Sequence, residues 1–132
     1  AERPFIVKGV MTVKAREGQG GRCRRHRVSN HGGRVLDQCP ATAEVLPEIA
    51  AALKDRVKVL VDGGIRTGVD VFKALALGAD GVLICRPSSR LSTAAVRSVK
   101  CYIDKLAGEL ADTMQMCGAH SIAEITPDMV RV

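Results

Sequence analysis

Aromatic residues are nearly absent: the chain has no tryptophan, one tyrosine (Tyr102) and two phenylalanines (Phe5 and Phe72). Three scattered rings give no platform on which the bases of a single nucleic-acid strand could stack. No run approaches the roughly 18 consecutive apolar residues that a membrane-spanning helix needs. The opening AERPFIVKG has neither the charged and apolar regions nor the small-residue cleavage site of a secretory leader, so a cytoplasmic location is expected. The five cysteines (Cys23, Cys39, Cys85, Cys101, Cys117) are an odd number, with no C-x-x-C pair and no histidine at ligand spacing. Neither a disulfide framework nor a metal site is expected, and reduced thiols packing as small hydrophobes are.

What is abundant is positive charge, and it is confined. Of the net charge of +6, the window 14–28 contributes +5 and the window 88–98 contributes +2, leaving the rest of the chain slightly acidic. Basic windows can bind phosphates. They do not describe the whole surface.

At 132 residues and 46% hydrophobic composition, residues 1–132 suit one unit with a real core. Three short apolar runs, PFIVKGV (4–10), VKVLVDGG (57–64) and DGVLICRP (80–87), read as strands buried on both faces of a parallel sheet. Helical spacing predicts a helix in PATAEVLPEIAAAL (40–53), with Thr42 as N-cap and Val45, Leu46, Ile49 and Leu53 as its apolar stripe. A second is predicted in TGVDVFKALALGA (67–79), with Val69, Phe72, Leu75 and Ala76 inward, and a third over Val99–Cys117. Repeated strand–helix units imply an α/β fold. Residues 14–28 and 88–98 lack this periodicity, and irregular or exposed structure is expected there.

Two motifs carry chemistry. In VDGGIRTG, a strand runs into Gly63–Gly64 and then a helix start, with Arg66 adding a fork of donors; this reads as a phosphate cradle at a free helix N-terminus. Arg86, at the end of the next strand, would share that mouth. In SNHGGRVLD, His31 has the side chain suited to taking a proton near neutral pH, and Arg34 could grip a carboxylate through two hydrogen bonds.

These segments, with PFIVKGV and PATAEVLPEI, resemble the C-terminal half of the FMN-dependent α-hydroxy-acid oxidase and dehydrogenase family, in the family's order and spacing. The resemblance implies half of a (β/α)8 TIM barrel, FMN as cofactor, a small 2-hydroxy acid as substrate, and homo-oligomers for the full-length enzymes. It implies that Lys8 supports the reduced flavin, that Ser29 touches the flavin, that His31 is the base and that Arg34 binds the substrate carboxylate. Asp62, Gly63, Gly64 and Arg66 would hold the ribityl chain and phosphate, and Arg86 the phosphate. On this reading the chain is a fragment that is inactive alone. A non-catalytic module that binds nucleic acid through the arginine window, and another FMN barrel such as an isomerase, are the alternatives.

Two departures stand out. Cys85 occupies a position where the family has glycine, and KAREGQGGRCRRHRV replaces a helix end and a strand beginning Gly-Ala-Asp-Gly-Ile-Val. With suitable codons, the DNA for Glu17 to Val28 read one base out of step spells Arg-Ala-Arg-Ala-Ala-Gly-Ala-Asp-Gly-Ile-Val. A similar shift from Ser88 onward restores a family-like loop. Frameshifted coding sequence in both windows is therefore expected.

Overall fold

In the computed structural model, described over residues 6–14, 25–53, 56–85 and 96–131, four strands form one parallel sheet in chain order. They are β1 (Ile6–Val10), β2 (Arg25–Val28), β3 (Lys58–Asp62) and β4 (Gly81–Leu83). Parallel neighbours need a crossover connection. Helix α1 (Thr42–Leu53) lies between β2 and β3, α2 (Gly68–Ala76) lies between β3 and β4, and α3 (Val96–Cys117) follows.

The core lies between one face of the sheet and the helices. Val10, Val28, Val59 and Val61 meet Leu46, Ile49 and Leu53 of α1 and Ala74 of α2. Each such valine, leucine or isoleucine side chain removed from water stabilises the fold by about 1.5–3 kcal/mol. The predicted stripe of α1 is therefore the buried one, while in α2 Phe72 and Ala76 are buried and Val69 stays 42% exposed. In α3, Leu106 is buried but Ile103 is 56% exposed.

The strands are not covered on both faces, as their apolar character suggested. Ile6 and Lys8 are exposed and Leu60 is only half-buried, because the helices pack on one side of a four-stranded sheet. Among the described residues, no helix covers the opposite side. Nor do the described cysteines join the core: all four are thiols outside any disulfide, Cys85, Cys101 and Cys117 are exposed and Cys39 is half-buried.

The arginine window holds the main correction. Residues 25–28, expected to be irregular or exposed, form an inner strand with the register Ile6↔Arg25↔Lys58 through Arg27↔Leu60 and Val28↔Val61. A ladder is made by the backbone, which every one of these residues supplies, and alternation sorts the side chains. His26 and Val28 fall on one face and are buried; Arg25 and Arg27 fall on the other, where Arg25 is exposed and Arg27 meets an acid. In the second window, residues 96–98 are the first turn of α3, since no glycine or proline there interrupts a helix. The rest of both windows lies outside the described residues, except Lys14, which is exposed.

Thr42 is also not the N-cap of α1. It is the first helical residue, buried, and its hydroxyl donates to the carbonyl of Asp62 at 2.8 Å. The capping contact is made instead by Glu44, whose carboxylate accepts from the Ala41 N–H at 3.2 Å.

Candidate active site

The strands β2, β3 and β4 deliver their C-terminal ends to one cleft of about 770 Å³, and β1 adds Lys8 to its wall. This is the edge of a parallel sheet at which ligands bind, because the turns leaving it are free to vary while the strands stay fixed. His31, Arg34, Gly63, Gly64 and Arg66 all line it.

His31 is placed by the backbone around it. After β2, Ser29 and Asn30 lead into a short 3-10 turn over His31–Gly33, in which His31 itself has φ 58 and Gly32 and Gly33 have φ 71 and 75. A histidine in the left-handed region is uncommon and strained, and it persists when its surroundings hold it. Here the His31 N–H donates to Ser29 Oγ at 3.3 Å, and the Gly32 N–H donates to Asn30 Oδ1 at 3.0 Å. Asn30 in turn donates from Nδ2 to the Pro40 carbonyl at 3.3 Å, fastening the turn to the approach of α1.

The ring then lies against β1. The ladder between β1 and β2 is irregular between Lys8 and Val10, and Gly9 between them has φ 89. A Cβ at Gly9 would stand 2.8 Å from His31 Cε1, so glycine is what admits the imidazole. Ser29, expected to touch a flavin, does border the cleft; it is 1% exposed and its hydroxyl oxygen accepts from the His31 N–H.

The glycine cradle has the expected backbone. Gly63 and Gly64 follow β3 with φ 93 and 80, and among the described residues nothing lies within 4 Å of a Cβ at Gly64, so a ligand can approach the main chain there. The helix start beyond it is not free, which corrects the sequence reading. Asp70 Oδ2 accepts from the N–H groups of Arg66 at 3.0 Å and Thr67 at 2.9 Å, and Thr67 Oγ1 accepts from the Asp70 N–H at 3.2 Å. The Gly68 N–H donates to Glu109 of α3 at 2.7 Å. Burial pushes the Asp70 carboxyl up, but the hydrogen bonds from Arg66 and Thr67 and the charge of Lys73 outweigh it and hold it below its ordinary value. The first turn of α2 is thus capped by protein, and an anion would use the Gly63–Gly64 backbone and the Arg66 side chain instead.

Arg66 is held from both sides, since its carbonyl also accepts from the Tyr102 hydroxyl of α3 at 2.9 Å. Asp62, expected with Gly63, Gly64 and Arg66 to hold a ribityl chain and phosphate, forms an ion pair with Arg27. Lys8, Arg34 and Arg66 have no ion pair among the described residues, so the cleft is net positive. Arg86 lies outside the described residues.

The family model for FMN-dependent dehydrogenases matches residues 1–132. The chain belongs to the FMN-dependent dehydrogenase family. Among curated relatives of this family member, the peroxisomal (S)-2-hydroxyacid oxidase GLO3 of Arabidopsis thaliana is 47% identical over 98% of the chain and 36% of the relative. The 2-hydroxyacid oxidase 2 of Rattus norvegicus is 41% identical over 97% of the chain and 37% of the relative. The chain therefore spans little more than a third of the length of either relative. Its fold superposes on mandelate oxidase with benzoyl-formic acid at a TM-score of 0.89, with 40% identity over 96% of this chain and 38% of that one. A flavocytochrome b2 variant with pyruvate bound gives 0.90, with 38% identity over 98% and 34%. The four-stranded sheet is thus the part of a TIM-barrel oxidase that the resemblance indicated.

Several contributors to the site were not read from the sequence. Asn30 had a local signal, an asparagine two residues before a glycine N–H, as in an Asx-turn. Thr42, Tyr102 and Arg27 had none, because their partners lie 20, 36 and 35 residues away.

Proposed function

We propose that this chain is the base-bearing and phosphate-binding portion of an FMN-dependent oxidoreductase that converts a small 2-hydroxy acid to the 2-oxo acid. The observation that carries the reading is the convergence of His31, Arg34, Lys8 and the Gly63–Gly64 turn on one positively charged cleft. Among the described residues, the main chain at Gly64 is open and the Arg66 guanidinium has no ion pair, which suits a phosphate monoester, and Lys8 suits an electron-rich ring.

When bound, FMN supplies the two-electron acceptor. The chain's own residues do the rest. Arg34 offers two parallel donors to the substrate carboxylate and so fixes the adjacent carbon. His31, held by Ser29 and seated on Gly9, accepts a proton from the hydroxyl or the α-carbon of a substrate so oriented. The relatives' names and bound molecules, a 2-hydroxyacid oxidase and structures with pyruvate or benzoyl-formic acid, support this substrate class.

The test is a titration of the purified chain with FMN, followed by glycolate or lactate. A perturbed flavin spectrum, perturbed again by the hydroxy acid in the parent but not in Arg34→Met, is the expected result. No flavin uptake, together with steeply salt-dependent DNA binding, would overturn the reading in favour of a nucleic-acid module.

A further inference from the structure

Arg27 stands on the floor of the cleft in a row that runs across the whole sheet, Lys8↔Arg27↔Leu60↔Gly81. Its side chain is 19% exposed and ion-paired with Asp62 Oδ2, whose side chain is 8% exposed. Its Nη2 also donates to Cys85 Sγ at 3.4 Å. One guanidinium therefore ties β2 to the last residue of β3 and to the segment leaving β4. Among the described residues, Arg27 Nε is buried without a hydrogen-bond partner, and both of these contacts are made by Nη2.

The consequence falls on Asp62. An ionised carboxylate only accepts hydrogen bonds, and it serves a polyhydroxyl chain by accepting from the hydroxyls. Paired with Arg27, it is turned toward β2 and its charge is already matched. Among the described residues, nothing engages the Gly64 and Arg66 end of the cleft in this way.

Building on the proposed function, we infer that Arg27 acts as a latch on Asp62 and is a specificity-determining residue. It leaves the cleft open to phosphate groups, and it makes uptake of the flavin's hydroxylated arm conditional on opening the Arg27–Asp62 pair. Riboflavin isolates the effect, because it carries the ribityl hydroxyls and no phosphate.

Riboflavin and FMN binding are followed by quenching of flavin fluorescence, and inorganic phosphate binding by calorimetry, for the parent chain, Arg27→Leu and Arg27→Gln. The hydrogen bonds regained by Asp62 should tighten riboflavin about tenfold in both variants, while phosphate binding does not tighten. Cys85 is exposed, so Cys85→Ala leaves the core intact and provides the same test should either Arg27 variant fail to fold. It removes one arm of the tie and should tighten riboflavin about threefold. Riboflavin affinity that is unchanged or weaker in the folded variants overturns the latch and leaves the proposed function standing. Absence of FMN uptake by the parent and every variant overturns both.

Discussion

The imidazole of His31 rests on the main chain of Gly9, so closely that a Cβ at Gly9 would sit 2.8 Å from His31 Cε1. The proposed base is thus positioned by an atom that β1 lacks. Gly9→Ala must either strain a backbone at φ 89 or push the ring outward. It should destabilise the fold by about 1–3 kcal/mol. The spectral response to a 2-hydroxy acid should be lost while FMN uptake remains. Denaturant melts and flavin difference spectra check both.

Tyr102 reaches the Arg66 carbonyl from α3. Tyr102→Phe removes that donor and little else, so stability should fall by about 0.5–1.5 kcal/mol. If Tyr102 positions Arg66, phosphate affinity falls by several fold as well. A stability loss with unchanged phosphate binding would make the contact purely structural.

Thr42→Val removes a buried donor and leaves the Asp62 carbonyl without it. The expected loss is about 1–3 kcal/mol, measured by thermal or denaturant unfolding. Because that hydrogen bond fastens the residue just before Gly63, the glycine turn should loosen, and FMN affinity should fall with it.

Acid should weaken the fold through Asp80 and Asp70. Burial pushes the Asp80 carboxyl up, but hydrogen bonds from Lys58 at 2.6 Å and the Val59 N–H at 2.8 Å, with the charge of Lys58, hold it below the ordinary 3.8. Asp70 is lowered in the same way by Arg66 and Thr67. A carboxyl whose folded pKa is depressed stabilises the fold above its unfolded value, and the contribution is lost as pH falls through the folded one. Unfolding free energy should therefore drop below the ordinary carboxylate range. In Asp80→Asn the drop should be shallower and the neutral-pH stability lower.

The coding DNA tests the origin of the arginine window. The shifted reading places Ile and Val at the positions of His26 and Arg27, which lie within β2. We expect the codons for Arg22 to Arg27 to be AGG TGC CGA CGG CAT CGT. Any other set would remove the frameshift explanation.

Much of the fold was legible because periodicity is local. The β-branched runs, the 3.6-residue stripe of α1 and the motifs SNHGG and DGG each declare themselves within a few residues, and they located β1, β3, β4, the helices and most of the cleft. β2 was illegible, because its side chains carry little of the apolar pattern while its backbone satisfies the ladder all the same. The site divides in the same way. That His31, Arg34, Gly63, Gly64 and Arg66 are present and chemically apt was determined by the sequence itself. Which of those groups remain open to a ligand was decided by tertiary structure: α3 fills the end of α2, Tyr102 steadies Arg66, and Arg27 captures Asp62. Hydrogen-bonding and charged groups are satisfied by whatever the fold brings within about 3 Å. That distance bears no relation to separation along the chain.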